Sequence, residues 1–218
     1  MKLIALLAVA TMPMTSQSVR YPPKGSAEQR AIYERGQATQ AKFEQELFVK
    51  AGFKPLDAIA FEKRTVKRAL FEDPYMMLPV PGVEIERLPK GSVTLKVIGR
   101  TVQSAPAILP ASAWTRLTSL QGALFKRKAY VPWDPPKADT SRRPPPPMCH
   151  GWIVRFGTTG DDGVTSGSWA QCGGNDQPEL AYGAEIARLA VSTRPACKFD
   201  ESNPFWSFNA CFSPRPQP

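Results

Sequence analysis

Residues 130–148 read "YVPWDPPKADTSRRPPPPM" and contain seven prolines. Each proline fixes φ and removes a backbone donor, so the stretch can enter neither a regular helix nor a central strand. It is expected to be an extended, semi-rigid linker of polyproline character. A peptide ligand for a proline-recognising domain is the alternative reading. The chain is thereby divided into a part before the linker, residues 19–129, and a part after it, residues 149–212, with 213–218 as a disordered tail.

Charge follows the same division. Formal net charge is +9 over 218 residues, but residues 19–148 carry 22 Lys/Arg against 12 Asp/Glu, whereas residues 149–218 carry 5 against 7. A split of +10 and −2 implies two surfaces of different character. At the N-terminus, Lys2 precedes an apolar run from Leu3 to Met14, and Ser16-Gln17-Ser18 offers a small-x-small cleavage site. This is the pattern of a signal peptide over residues 1–18, with a core too short to span a bilayer. The expectation is an exported protein, periplasmic or secreted, with no transmembrane segment in its mature form.

The part before the linker is expected to be helix-rich with one hairpin. Ser26 and Gln29 have capping-box spacing, and Gly52 fits a helix stop. Ile32, Gly36, Phe43 and Leu47 would form the apolar stripe of that first helix. A second helix is expected from Pro55 to the residues before Asp73-Pro74, with Leu56, Ile59, Val66 and Leu70 inward and Lys63, Arg64, Lys67 and Arg68 on its polar face. Alternation in "VEIERLPKGSVTLKV" predicts a β-hairpin turning at Pro89-Lys90-Gly91. A third helix, capped by Ser112, would bury Trp114, Leu117, Leu120 and Leu124.

After the linker, "CHGWIVRFGT" and "VTSGSWAQC" are expected to be antiparallel strands joined near Gly160–Gly163. A helix should follow Asp176 to about Ser192, with Leu180, Ala184, Ala187 and Val191 facing inward. "FWSFNACF" reads as a last strand. The fold class expected is therefore α+β: a basic helical and hairpin module, the proline-rich linker, and a small disulfide-stapled α+β domain with short antiparallel strands.

All four cysteines, Cys149, Cys172, Cys197 and Cys211, lie in the last 70 residues. An even count in an exported chain favours disulfides, and hairpin geometry favours Cys149–Cys172 with Cys197–Cys211. No C-x-x-C knuckle supports zinc. His150, the sole histidine, follows Cys149 directly. Successive strand side chains face opposite ways, so the two cannot meet as a thiol and its base. His150 stays the one catalytic candidate, as part of an exported hydrolase using a carboxylate or a free cysteine.

Other chemistry is poorly provided for. There is no serine elbow and no phosphate loop. Asp161 and Asp162 read as a solvated turn, and Glu28, Glu34, Glu44, Glu46 and Glu84 show no spacing that singles out a catalytic pair. No metal or cofactor is implied. The function expected is non-enzymatic binding or a structural role in the envelope or outside it. Lys63, Arg64, Lys67 and Arg68 would contact an anionic partner: an envelope polymer, lipid headgroups or another protein. The compartment argues against nucleic acid. An inhibitor-type module presenting the 198–204 loop, "KFDESNP", closed by Cys197–Cys211, is the third reading.

Overall fold

The computed structural model describes residues 23–72, 81–99, 102–124, 151–160, 163–170 and 178–213. Its elements are α1 (Ala27–Lys50), α2 (Leu56–Phe61), β1 (Thr65–Glu72), β2 (Gly82–Arg87), β3 (Val93–Ile98), β4 (Ala107–Leu109), α3 (Ala111–Leu124), β5 (Ile153–Gly160), β6 (Gly163–Ala170), α4 (Pro178–Ser192) and α5 (Pro204–Phe212). The α+β class is as expected: five helices accompany a six-stranded antiparallel sheet of order β4-β3-β2-β1-β5-β6. No helix among the described residues is long and apolar enough to cross a membrane.

The two parts that flank the proline-rich stretch share this sheet. β1, from before it, pairs along its length with β5, from after it, with Lys67 opposite Thr158 and Phe71 opposite Val154. One apolar core likewise takes Ala69, Phe71, Val83 and Leu95 from one side and Val154, Ile186 and Phe208 from the other. Composition and charge had suggested separate modules, but neither records strand pairing across a linker.

Period-two alternation assigns the faces of the sheet. Ala69, Phe71, Val83, Ile85, Val93, Leu95, Val97, Val154 and Phe156 belong to the core that α3, α4 and α5 complete. α4 lies at its centre, burying Tyr182, Ile186, Ala187, Ala190 and Val191. α5 closes it, with Phe208 packed 4.6 Å from Phe71 and 5.0 Å from Phe212 between ring centroids. On the opposite face, Leu56, Ile59 and Val66 form one small cluster, and Phe48, Ala51, Phe53 and Leu70 another.

α1 begins at Ser26, whose hydroxyl accepts from the Gln29 backbone N–H at 3.1 Å, as the capping spacing predicts. Its expected apolar stripe is not what it buries. Ile32 and Phe43 are exposed, while Gln29, Glu44 and Phe48 are buried, because only the C-terminal end of the helix reaches an apolar cluster. The second helix also differs, ending at Phe61. The chain reverses at Lys63, whose φ is +55°, and residues 65–72 form β1. Val66 and Leu70 are four residues apart, a spacing that satisfies both the helical period and the strand period, so the pattern alone was ambiguous. Thr159 extends the β1–β5 ladder: its hydroxyl accepts from the Val66 N–H at 3.0 Å and donates to the Arg64 carbonyl at 2.7 Å.

The hairpin of β2 and β3 forms in the expected place, as do the β5–β6 hairpin and the helix ending at Ser192. The expected last strand is α5 instead. Phe205, Phe208 and Phe212 repeat at i, i+3 and i+7 and are all buried, and Pro204 suits a first helical position. The helical spacing of these three aromatics was already present in the sequence.

Candidate functional site

The four basic residues expected on one helix face are distributed over a turn and a strand. Lys63 is exposed. Arg64 donates from Nε and Nη2 to the two carboxylate oxygens of Glu86, both at 2.7 Å, and lies 3.7 Å from Glu84. Lys67 is 3% exposed and Arg68 fully buried, on opposite faces of β1. They therefore form no shared contact surface. Alternation in "TVKRALFE" carries that signal, since Lys67 falls in phase with Ala69 and Phe71, and Arg68 with Val66 and Leu70.

Arg68 places its Cζ over the Phe48 ring, 4.1 Å from its centroid, and donates from Nη1 to the Lys54 carbonyl at 2.7 Å. Its Nε and Nη2 have no hydrogen-bond partner among the described residues. Burial lowers its pKa to about 10 against the pull of Glu84 and Asp57. Gly157 is required beneath it: a Cβ there would sit 2.9 Å from Arg68 Nε and from Leu56 Cδ1. Lys67 faces the helices, donating to Gln121 Oε1 with its ammonium 4.6 Å from the Trp114 centroid. Burial lowers its pKa to about 8.

The carboxylates weighed for glycoside cleavage do not form a pair. Glu28, Glu34 and Glu46 are exposed along α1, Glu44 is buried beside Arg155 at 3.9 Å, and Glu84 faces Arg64. No cluster of metal-ligating side chains occurs among the described residues. Cys149, His150, Asp161, Asp162 and Cys172 lie outside the described residues.

The 198–204 loop is the most fully built of the expected sites. Cys197 and Cys211 are disulfide-bonded with their Cα atoms 5.7 Å apart, joining the start of the loop to the last turn of α5. Within it, the Asp200 carboxylate accepts from the Ser202 backbone N–H at 2.9 Å, from the Ser202 hydroxyl, and from Asn203 Nδ2 at 3.1 Å. The Ser202 and Asn203 hydrogen bonds hold the Asp200 carboxyl below its usual range. Ser207 braces the other side, accepting from the Asp200 N–H at 2.9 Å and donating to the Asn203 carbonyl at 3.1 Å. Phe199 packs on the core, while Lys198, Asp200, Glu201, Ser202 and Asn203 face solvent.

Trp206 projects beside this loop. It is 51% exposed and stands edge-on to the buried Trp152, with centroids 5.4 Å apart. A half-exposed large aromatic is thus held by a second aromatic next to the braced polar loop. Reading "FWSFNACF" as a strand concealed this. In a helix, Trp206 takes the outward side because Phe205, Phe208 and Phe212 take the inward one.

Compared with protein family models and with curated proteins, the chain matches none.

Proposed function

We propose that this chain is an exported binding protein, periplasmic or secreted, that contacts a macromolecular partner through the 198–204 loop and Trp206 and performs no reaction of its own. The observation that supports this reading is the brace on the loop. Its conformation is fixed by a disulfide at its base and by Asp200 and Ser207 within, so little conformational entropy remains to be lost on binding. Trp206 supplies the buried-anchor chemistry on which interfaces depend most. The rival hydrolase reading loses two of its nucleophiles, since Cys197 and Cys211 are joined. An anionic partner remains part of the proposal, but its contact cannot be Lys67 or Arg68.

The test is site-specific photocrosslinking of the full chain in the cells that produce it, with the probe at Glu201 and, as control, at Lys90 in the β2–β3 turn. One discrete adduct from Glu201, absent from Lys90 and lost on C197S/C211S, is the expected result. Adducts of equal yield from both positions, or none from Glu201, overturn the reading.

A further inference from the structure

Glu185 is carried by α4 into the packed side of the molecule, where its side chain is only 3% exposed. Isolated, such a carboxylate would be strongly destabilising. Arg188, three residues on, neutralises it through two parallel hydrogen bonds, Nε to Oε2 at 2.9 Å and Nη2 to Oε1 at 2.7 Å. That bidentate pairing engages both carboxylate oxygens. A second guanidinium nevertheless converges on the same site: Arg116 of α3 brings its Nε to 3.3 Å from Oε1. Both arginines reach outward, with side chains 67% exposed for Arg116 and 40% for Arg188.

The two guanidiniums share one buried carboxylate. Glu201 of the loop adds a further pull on Arg188, whereas Arg116 has Glu185 as its sole ionic partner among the described residues. Since both guanidiniums approach Oε1, they are neighbours; the buried carboxylate fixes the Arg188 plane through its two hydrogen bonds and draws Arg116 in through one ion contact. Among the described residues, no hydrogen bond engages Arg116 Nη1 or Nη2. A guanidinium with donors to spare beside a second one already held by a carboxylate is an arrangement that suits a tetrahedral oxyanion, because part of the side-chain ordering precedes the ligand.

We propose that Arg116 and Arg188, positioned by Glu185, form a docking pair for a phosphate oxyanion on the surface between α3 and α4. The pair borders the 198–204 loop through Glu201 but uses neither the disulfide nor Trp206, so its vesicle and polyphosphate binding is tested apart from that reading. A lipid headgroup and a soluble phosphate polymer both present this group; the shared chemistry is the oxyanion and its charge-assisted hydrogen bonds.

The experiment measures binding of the full chain to vesicles of phosphatidylglycerol in phosphatidylcholine, to vesicles of phosphatidylcholine alone, and to linear polyphosphate in solution, across a salt series. Variants are Arg116→Ala, Glu185→Gln and, as a control for net charge, Lys90→Ala, each checked for a retained unfolding transition. Arg116→Ala is expected to weaken binding about tenfold and to flatten the salt dependence by roughly one ion released, while Lys90→Ala changes it less than twofold. Glu185→Gln raises the net charge by one, so binding driven by bulk charge would tighten; a positioned pair instead weakens several-fold. Binding to anionic vesicles alone assigns the lipid source, and binding to polyphosphate assigns the soluble one. No binding to either probe, equal losses from Arg116→Ala and Lys90→Ala, or tighter binding by Glu185→Gln each overturns the proposal.

Discussion

On the side covered by α3, α4 and α5, β1 contributes Ala69 and Phe71 to one continuous apolar core. On its other side the same strand contributes Arg68 and Glu72, set among small apolar clusters and ion pairs. Arg155 of β5 binds Glu72 there through Nε and Nη2 at 3.1 and 2.9 Å, and Arg64 binds Glu86 and Glu84. The helix-covered face derives its stability from area removed from water. The opposite face depends on each charge finding its counter-charge or ring, because a buried charge without one is heavily penalised. Lys67 is the exception on the first face: a charge among apolar residues with no carboxylate beside it among the described residues.

Removing apolar volume from the helix-covered face should have the largest effect. Phe208→Ala, which empties the space against Phe71 and Phe212, is expected to cost about 3–5 kcal/mol, read as a lower urea midpoint. Opening the Cys197–Cys211 disulfide with C197S/C211S should cost about 3 kcal/mol for a loop of this length, measured in the same way. On the opposite face the effects are smaller and coupled. Gly157→Ala should cost roughly 1–3 kcal/mol by driving a methyl into Arg68 and Leu56. Arg68→Met alone should stay within about 1.5 kcal/mol of the parent, because it removes a buried charge while keeping the volume. The double variant should be less destabilised than the two changes added, since one of the two clash partners, Arg68 Nε, has gone. Additive losses would show that Arg68 is not what Gly157 accommodates.

Two titrations sharpen the contrast further. Lys67 has a folded-state pKa lowered to about 8, so the folded chain releases that proton more readily than the unfolded one. Its penalty is complete below pH 8 and disappears as pH rises toward the unfolded value near 10.5. Wild type should gain stability relative to Lys67→Met over that window, by about 1 kcal/mol or more, in urea titrations at pH 7 and pH 10. Arg64 with Glu86 should give the smallest effect. Arg64→Ala is expected to cost less than about 1 kcal/mol at neutral pH. Glu86 is held below its usual range chiefly by the Arg64 hydrogen bonds, so this contribution is present above the unfolded carboxylate pKa and is lost as pH falls through the folded one. Parent and variant should converge once the pH has fallen below both values.

Much of the helix-covered face was legible in the sequence. The β2–β3 and β5–β6 hairpins, α3 and α4 all follow from alternation, turn residues and helical spacing. What was hidden depends on partners distant in sequence. β1 reads as a helix because Leu56, Ile59, Val66 and Leu70 fit a helical stripe, and only pairing with β2 and β5 resolves the ambiguity. The arginines at Glu185 come from α3 and α4, and nothing local to Arg116 announces an acid on another helix. The loop was legible in outline through its cysteines, but Trp206 was not, since its exposure depends on α5 being helical.

The order of strands has a kinetic consequence. β1 sits inside the sheet, yet one of its neighbours, β5, lies about ninety residues later in the chain, as Lys67 opposite Thr158 illustrates. Synthesis proceeds from the N-terminus, so β1 through β4 emerge with one edge of β1 unsatisfied and its helix-side surface bare. Neither is covered until β5, α4 and α5 arrive. Closing so long a loop carries an entropic cost before any contact compensates it, which places this chain among slow-folding topologies. A nascent or truncated form ending before β5 would expose both an open strand edge and half an apolar core, and would aggregate through them.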